Sequence, residues 1–297
     1  MTAAGQPVAD VFYAAPTISG GTAPVTFKCD PPSPSTFAIG STPVKCTATD
    51  AQQRADSCAF TVMLVPPPIP RLSVTSFVCF GDSMTEGSNA VLPRFIPSPP
   101  GSYPADVLAL LAARYSAQTI TVLDEGVPGE KVADGRPRLA RVLPIDRPDA
   151  LLLLEGVNDL NEFGADGIPS IVRGLQLMVQ NARANGVVVF LATLPPQRQG
   201  AQRAFSFQLV EPLNQLIRST AATEGAVLVD VYRDFNGQVD LLLDPDGLHP
   251  NAAGYQRMAE SFFTAIRARL EVAPGPTPVV LTGRRPAPMP LSIPARR

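Results

Sequence analysis

Hydrophobic and polar positions change rhythm once along this chain. Before residue 65 they alternate. Val25 to Cys29, Val44 to Thr49 and Ser57 to Val62 each put every second side chain on an apolar face, which is the period of a half-buried strand. Gly20-Gly21, Pro31 to Pro34, Gly40 and Asp50 to Arg54 supply turns between these runs. Residues 1–65 therefore read as a small all-β sandwich of immunoglobulin-like type. Residues 66–72 open with Pro66-Pro67-Pro68 and read as a stiff proline-rich linker.

From residue 73 the apolar runs become continuous and alternate with helical periods. Val74 to Phe80, Thr119 to Leu123, Ala150 to Leu154, Val187 to Ala192 and Ala226 to Val231 predict five strands. Strands covered on both faces read this way. Ser102 and Pro104 predict a helix start that runs through Val107, Leu108, Leu111 and Ala112. Ile168, Ile171, Val172, Leu175 and Val179 recur at helical spacing up to Gly186. Phe207 to Ile217 is helical, and Tyr255, Met258, Phe262, Ile266 and Leu270 line one face of a last helix. The alternation predicts an α/β fold over residues 73–272, a doubly wound parallel sheet. Residues 273–297 are proline-dense without apolar period and predict a disordered tail.

Composition narrows the function. Hydrophobic residues make up 45% and charged residues 17%, which allows a sizeable core. A net charge of -2 lacks the basic footprint of a nucleic-acid partner. No run approaches the roughly 18 apolar residues of a transmembrane segment. His249 is the single histidine, so a multi-histidine metal site within the chain is excluded. Three of the four cysteines, Cys29, Cys46 and Cys58, fall in the β region, and Cys79 falls in an apolar strand. A small β module gains from a disulfide. Cys29–Cys46 is the favoured pair, with Cys58 the competing partner and reduced thiols the plain alternative. The N-terminus MTAAGQPVADVFYAAP lacks a basic stretch followed by an apolar one, so no signal peptide is visible.

In a doubly wound sheet, ligands bind beyond the carboxyl ends of the strands. Those ends carry Gly81-Asp82-Ser83, Gly126 to Gly129, Gly156-Val157-Asn158-Asp159 and, before the last helix, Asp246-Gly247-Leu248-His249. A serine nucleophile needs an adjacent base, and His249 is the only imidazole. Asp246, three residues earlier, can fix its tautomer. Preorganised donors for an oxyanion are available from the N–H groups of Ser83 and Gly129 and from the amide of Asn158. Each feature has a plainer reading. Ser83 to Glu86 fits a capping box, Asn158, Asp159 and Asp246-Gly247 are turn formers, the glycines suit a tight strand-to-helix turn, and a histidine before a helix is often structural. Their shared placement after strands of one sheet favours the catalytic reading.

Residues 74–272 resemble the SGNH (GDSL) hydrolase superfamily. Gly81-Asp82-Ser83, Gly129, Gly156-x-Asn158-Asp159 and Asp246-x-x-His249 match its four blocks in order. The second block departs from the pattern: Asp124-Glu125-Gly126 stands where Asn-x-Gly is usual, and Pro128 precedes Gly129. Phe37 to Asp50 followed by Ser57 to Val62 is similar to the end of a hyalin repeat (HYR), an extracellular immunoglobulin-like module whose early strand is short or missing here. The first resemblance implies a flavodoxin-like three-layer fold. It also implies ester or thioester hydrolysis through an acyl-serine, with Ser83, Asp246 and His249 catalytic, Ser83, Gly129 and Asn158 forming the oxyanion hole, and no cofactor. Expected partners are a small-molecule ester, a lysolipid or an acetylated glycan. The second implies a cell-surface or matrix contact and an extracellular, periplasmic or surface location. The alternative is a non-catalytic surface- or carbohydrate-binding protein on a degenerate hydrolase scaffold. Ala90 to Pro97 can line an acyl pocket or form a surface loop, and Arg198 and Arg203 can meet an anionic leaving group or stay solvated.

Overall fold

In the computed structural model, residues 8–65, 69–88, 101–272 and 291–293 are described. The chain divides into two compact units, Met1–Pro68 with Pro274–Arg297 and Ile69–Ala273.

The smaller unit is antiparallel in its main sheet. Thr26–Asp30, Gly40–Thr49 and Ala55–Leu64 pair in that order, and Val8–Val11 pairs with Ser35–Ala38. Val8–Val11 is the short early strand expected at this place. Cys29 and Cys46 are register partners on neighbouring strands and are joined by a disulfide. Cys58 stands opposite Cys46 on the other side and is a free thiol. Cys29, Phe37, Val44, Cys46 and Val62 form the core, so the bond lies inside a small apolar cluster. Leu291–Ile293 pairs in parallel with Ile18–Gly20. This corrects the expectation of a wholly disordered tail: three residues pair with a distant short strand, a non-local pairing that local composition does not reveal.

The larger unit is built on a five-stranded parallel sheet: β1 (Ser76–Gly81), β2 (Thr121–Gly126), β3 (Ala150–Leu154), β4 (Val188–Ala192) and β5 (Val227–Val229). The strand order is β5-β4-β3-β1-β2, the flavodoxin-like arrangement whose switch point lies between β1 and β3. β3 is Ala-Leu-Leu-Leu-Leu, buried at every position, because helices cover both faces. Ahead of them, α1 (Ser83–Glu86) is a single turn directly after β1. On one face α2 (Tyr103–Arg114) packs on the last helix, α9 (Ala252–Leu270), with Tyr103 stacked on Phe262 at 5.1 Å. On the other lie α3 (Val132–Asp146), α5 (Ile168–Ala184) and α6 (Phe207–Glu224). Between β3 and α5 comes α4 (Val157–Phe163), and α7 (Val231–Asp234) and α8 (Val239–Leu242) separate β5 from the loop before α9.

Two local expectations are corrected. Arg71–Leu72, placed in the linker by composition, pair with Glu271–Val272 and so close the larger unit. The cap of α1 is Asp82, whose carboxylate accepts the Met84 N–H, so Ser83 is the first helical residue and not the cap. Ser102 does precede α2 but makes no side-chain cap bond. Pro66 to Pro68 and the segment 89–100, including Ala90 to Pro97, lie outside the described residues.

Candidate active site

The site assembles where the sheet order reverses. β1 delivers Ser83 on α1, and the adjacent β3 delivers Asn158 on α4. The loop after β2 brings Gly129, and the loop before α9 brings Asp246 and His249.

Gly81 lets the first block sit this close. A Cβ there would stand 1.9 Å from the Leu154 carbonyl oxygen and 2.4 Å from Thr85 Oγ1, so any side chain would push β1 off β3 or unseat α1. Ser83 is buried, and its Oγ lies 2.9 Å from His249 Nε2. On the far side of the ring, Nδ1 lies 2.7 Å from Asp246 Oδ2. With a carboxylate there, Nδ1 carries the proton and Nε2 is left as the acceptor facing the serine.

The three-residue spacing of Asp246 and His249 works through one tight loop. Asp246 Oδ1 accepts the N–H groups of Leu248 at 2.9 Å and His249 at 3.0 Å, leaving Oδ2 for the imidazole. The loop is closed by Asp244 N–H donating to the His249 carbonyl at 2.8 Å. Burial alone would raise the Asp246 carboxyl, but the bonds from His249 and the two backbone N–H groups outweigh it and hold it below the usual carboxylate range. It stays ionised at neutral pH. Arg198 has a bracing place that spacing could not show. Its guanidinium donates to the Asp244 carbonyl at 2.6 Å and its backbone N–H to the Gly247 carbonyl. The Arg203 backbone N–H donates to Asp246 O. The loop after β4 is thus a brace for the loop that carries Asp246 and His249.

The three expected donors lie at the ends of β1, β2 and β3. Gly129 has φ +78, and a Cβ there would meet nothing within 4 Å, so its N–H sits in an open, left-handed turn that favours glycine. Among the described residues no acceptor takes the N–H of Ser83 or of Gly129. Pro128 removes a neighbouring donor but leaves that of Gly129. Asn158 Nδ2 donates to the Glu130 carbonyl at 2.9 Å, which fixes its amide and leaves the second N–H free to serve a ligand.

Sequence reasoning missed the layer beneath. Arg138 of α3 grips Glu130 through two bonds of 2.7 and 2.6 Å, reaches Glu125 Oε2 at 3.0 Å and the Glu125 carbonyl at 2.9 Å, and lies 3.8 Å from the centroid of the Phe80 ring. It ties the loop carrying Gly129 to the end of β1. Asp159 Oδ2 accepts the Val132 N–H at 3.0 Å and so pins the start of α3. No helix among the described residues is long and apolar enough to cross a membrane.

Comparison with known proteins places this geometry. A HYR domain model matches residues 1–64. The chain is 30% identical over 171 residues to a multidomain esterase of Ruminococcus flavefaciens, covering 55% of this chain and only 22% of that protein. It is 27% identical over 153 residues to esterase TesA of Pseudomonas aeruginosa, covering 50% of this chain and 71% of that one. The crystal structure of an acetylxylan esterase from Geobacillus stearothermophilus superposes with a TM-score of 0.55 at 22% identity, over 66% of this chain and 96% of the other. At that identity the likeness speaks for the fold, the flavodoxin-like three-layer arrangement described above. The model of the GDSL-like lipase/acylhydrolase family matches residues 79–257, from within β1 to within α9, and the chain belongs to that family.

Proposed function

We propose that the chain hydrolyses carboxylic esters through an acyl-serine intermediate. The observation that carries this reading is the unbroken relay Ser83–His249–Asp246, with contacts of 2.9 and 2.7 Å, beside N–H donors left open at Ser83, Gly129 and Asn158. Ser83 Oγ attacks the ester carbonyl as its proton passes to His249 Nε2. Asp246 stabilises the imidazolium that forms. The three donors receive the oxyanion of the tetrahedral intermediate. Collapse expels the alcohol, which takes the proton from His249. Water then repeats the sequence on the acyl-enzyme and regenerates Ser83. The chemistry asks for no cofactor. A purely binding role, for a surface or a carbohydrate, would leave this relay without use.

Esters of small acyl groups, acetylated glycans first among them, are the substrate class we favour. The likeness to an acetylxylan esterase of Geobacillus stearothermophilus supports this choice. We place the protein in an oxidising, extracellular or surface setting, on the support of the HYR match and the Cys29–Cys46 bond.

The test is hydrolysis of p-nitrophenyl acetate, longer acyl homologues and acetylated xylan by the full chain. Asn158→Ala is expected to lower kcat about 10²- to 10³-fold with KM little changed, since its amide acts on charge that exists only in the transition state. A loss under three-fold, or one confined to KM, would remove Asn158 from the oxyanion hole.

A further inference from the structure

Below the nucleophile lies a group of buried acids with too few partners. β1 and β3 are in register with Gly81 opposite Leu154. Asp82 and Glu155 directly follow those adjacent strands, so they leave the sheet at one level. Each is 1% exposed. Both Glu155 carboxyl oxygens and Asp82 Oδ2 are buried without a hydrogen-bond partner. Asp82 Oδ1 is engaged with the Met84 N–H at 2.9 Å.

An ionised carboxylate in such a place would be costly. The surroundings offer little relief. Glu130, in the loop after β2, and Asp159, on α4, add negative charge near both residues. Arg138 is the cation that faces Glu155, and it is already shared between Glu130 and Glu125. Tyr103 from α2 and Tyr255 from α9 also lie near Asp82, and both are neutral. Among the described residues no group of three or more acids, cysteines and histidines is arranged to hold a metal ion.

We propose that Glu155 is a positioning residue held as a neutral carboxylic acid, its proton turned towards Oδ2 of Asp82, so that the pair carries at most one negative charge and Asp82 stays seated as the cap of the turn that bears Ser83. Burial first, then the charges of Asp82, Glu130 and Asp159, push the Glu155 carboxyl well above its ordinary value. Burial likewise brings Asp82 up to about 7, against the opposing bond from Met84. This inference concerns the support of the site and does not depend on which substrate the serine attacks.

The sign of the pH effect follows. Groups whose folded pKa is raised bind protons more tightly when folded, so the stability they contribute is present at low pH and is lost as pH rises through the folded values. For Asp82 that window opens near its ordinary 3.8 and runs to about 7, and Glu155 extends it upward. Glu155→Gln keeps the shape of the neutral acid and cannot ionise. The Tm of the variant relative to the natural protein is expected to climb steadily between pH 5 and pH 8. The alkaline limb of kcat/KM is expected to move to higher pH. Parallel Tm curves over that range would overturn the proposal. Infrared spectroscopy of the unmutated chain at pH 7 needs no variant: a protonated-carboxyl C=O band is expected, and its absence would also overturn the proposal. Both stability and infrared readouts are independent of catalysis, so failure here is distinguishable from failure of the hydrolase reading.

Discussion

Ser83→Ala is expected to lower kcat/KM for p-nitrophenyl acetate by a factor on the order of 10⁴–10⁶, while the protein stays folded. The size follows from what the hydroxyl does. In the proposed mechanism it alone supplies the bond-forming oxygen, and its contact with His249 Nε2 at 2.9 Å is the route by which its proton leaves. What survives in the variant is attack by water, helped by the oxyanion donors. The structural cost is small. One buried hydrogen bond is lost, worth roughly 1–2 kcal/mol, while the turn keeps its Asp82 cap and its packing at Gly81. Circular dichroism and thermal unfolding check the fold, and stopped or continuous assays check the rate. Turnover within ten-fold of the natural protein would remove Ser83 from the nucleophile's place.

Asp246→Asn should cost about 10⁴ in kcat/KM with little disturbance of the backbone. Asn keeps an Oδ1 acceptor for the Leu248 and His249 N–H groups, so the loop retains its turn. The atom facing Nδ1 becomes an amide that donates. The imidazole must then accept at Nδ1 and place its proton on Nε2, where it faces Ser83 as a donor and cannot take the serine proton. Asp246→Ala should be no worse in rate but less stable, since two buried N–H groups lose their acceptor. A variant Asp246→Asn with near-natural kcat/KM would show that the carboxylate does not set the tautomer. In the unmutated protein Asp246 is ionised across neutral pH.

The parts legible in the sequence are those fixed by short-range pattern. Ala150 to Leu154 is a strand to the residue, and the run Val187 to Ala192 differs from β4 by one position. A continuous apolar run between helical periods has few other solutions in a doubly wound sheet. The four polar clusters were legible for a related reason: each follows a strand end, and the topology gathers strand ends. α3 was not legible. Pro137 and Pro144 lie inside it, and its apolar positions are sparse, so local preference argued against a helix that packing on α5 sustains. Arg138, Asp82 and Glu155 escaped for another reason. Their roles arise from burial and from neighbours up to 73 residues away, as in the Arg138–Glu125 bond and in the opposition of β1 to β3. The tail pairing at Leu291–Ile293 is non-local in the same way.

The central claim is that Ser83, activated by His249, is a working nucleophile. Labelling with a fluorophosphonate probe, followed by peptide mass mapping, tests it without assuming a substrate. One adduct per chain is expected, located on Ser83, and none on the Ser83→Ala variant. An adduct on another residue with Ser83 unmodified, or no adduct on folded protein that still hydrolyses esters, would contradict it.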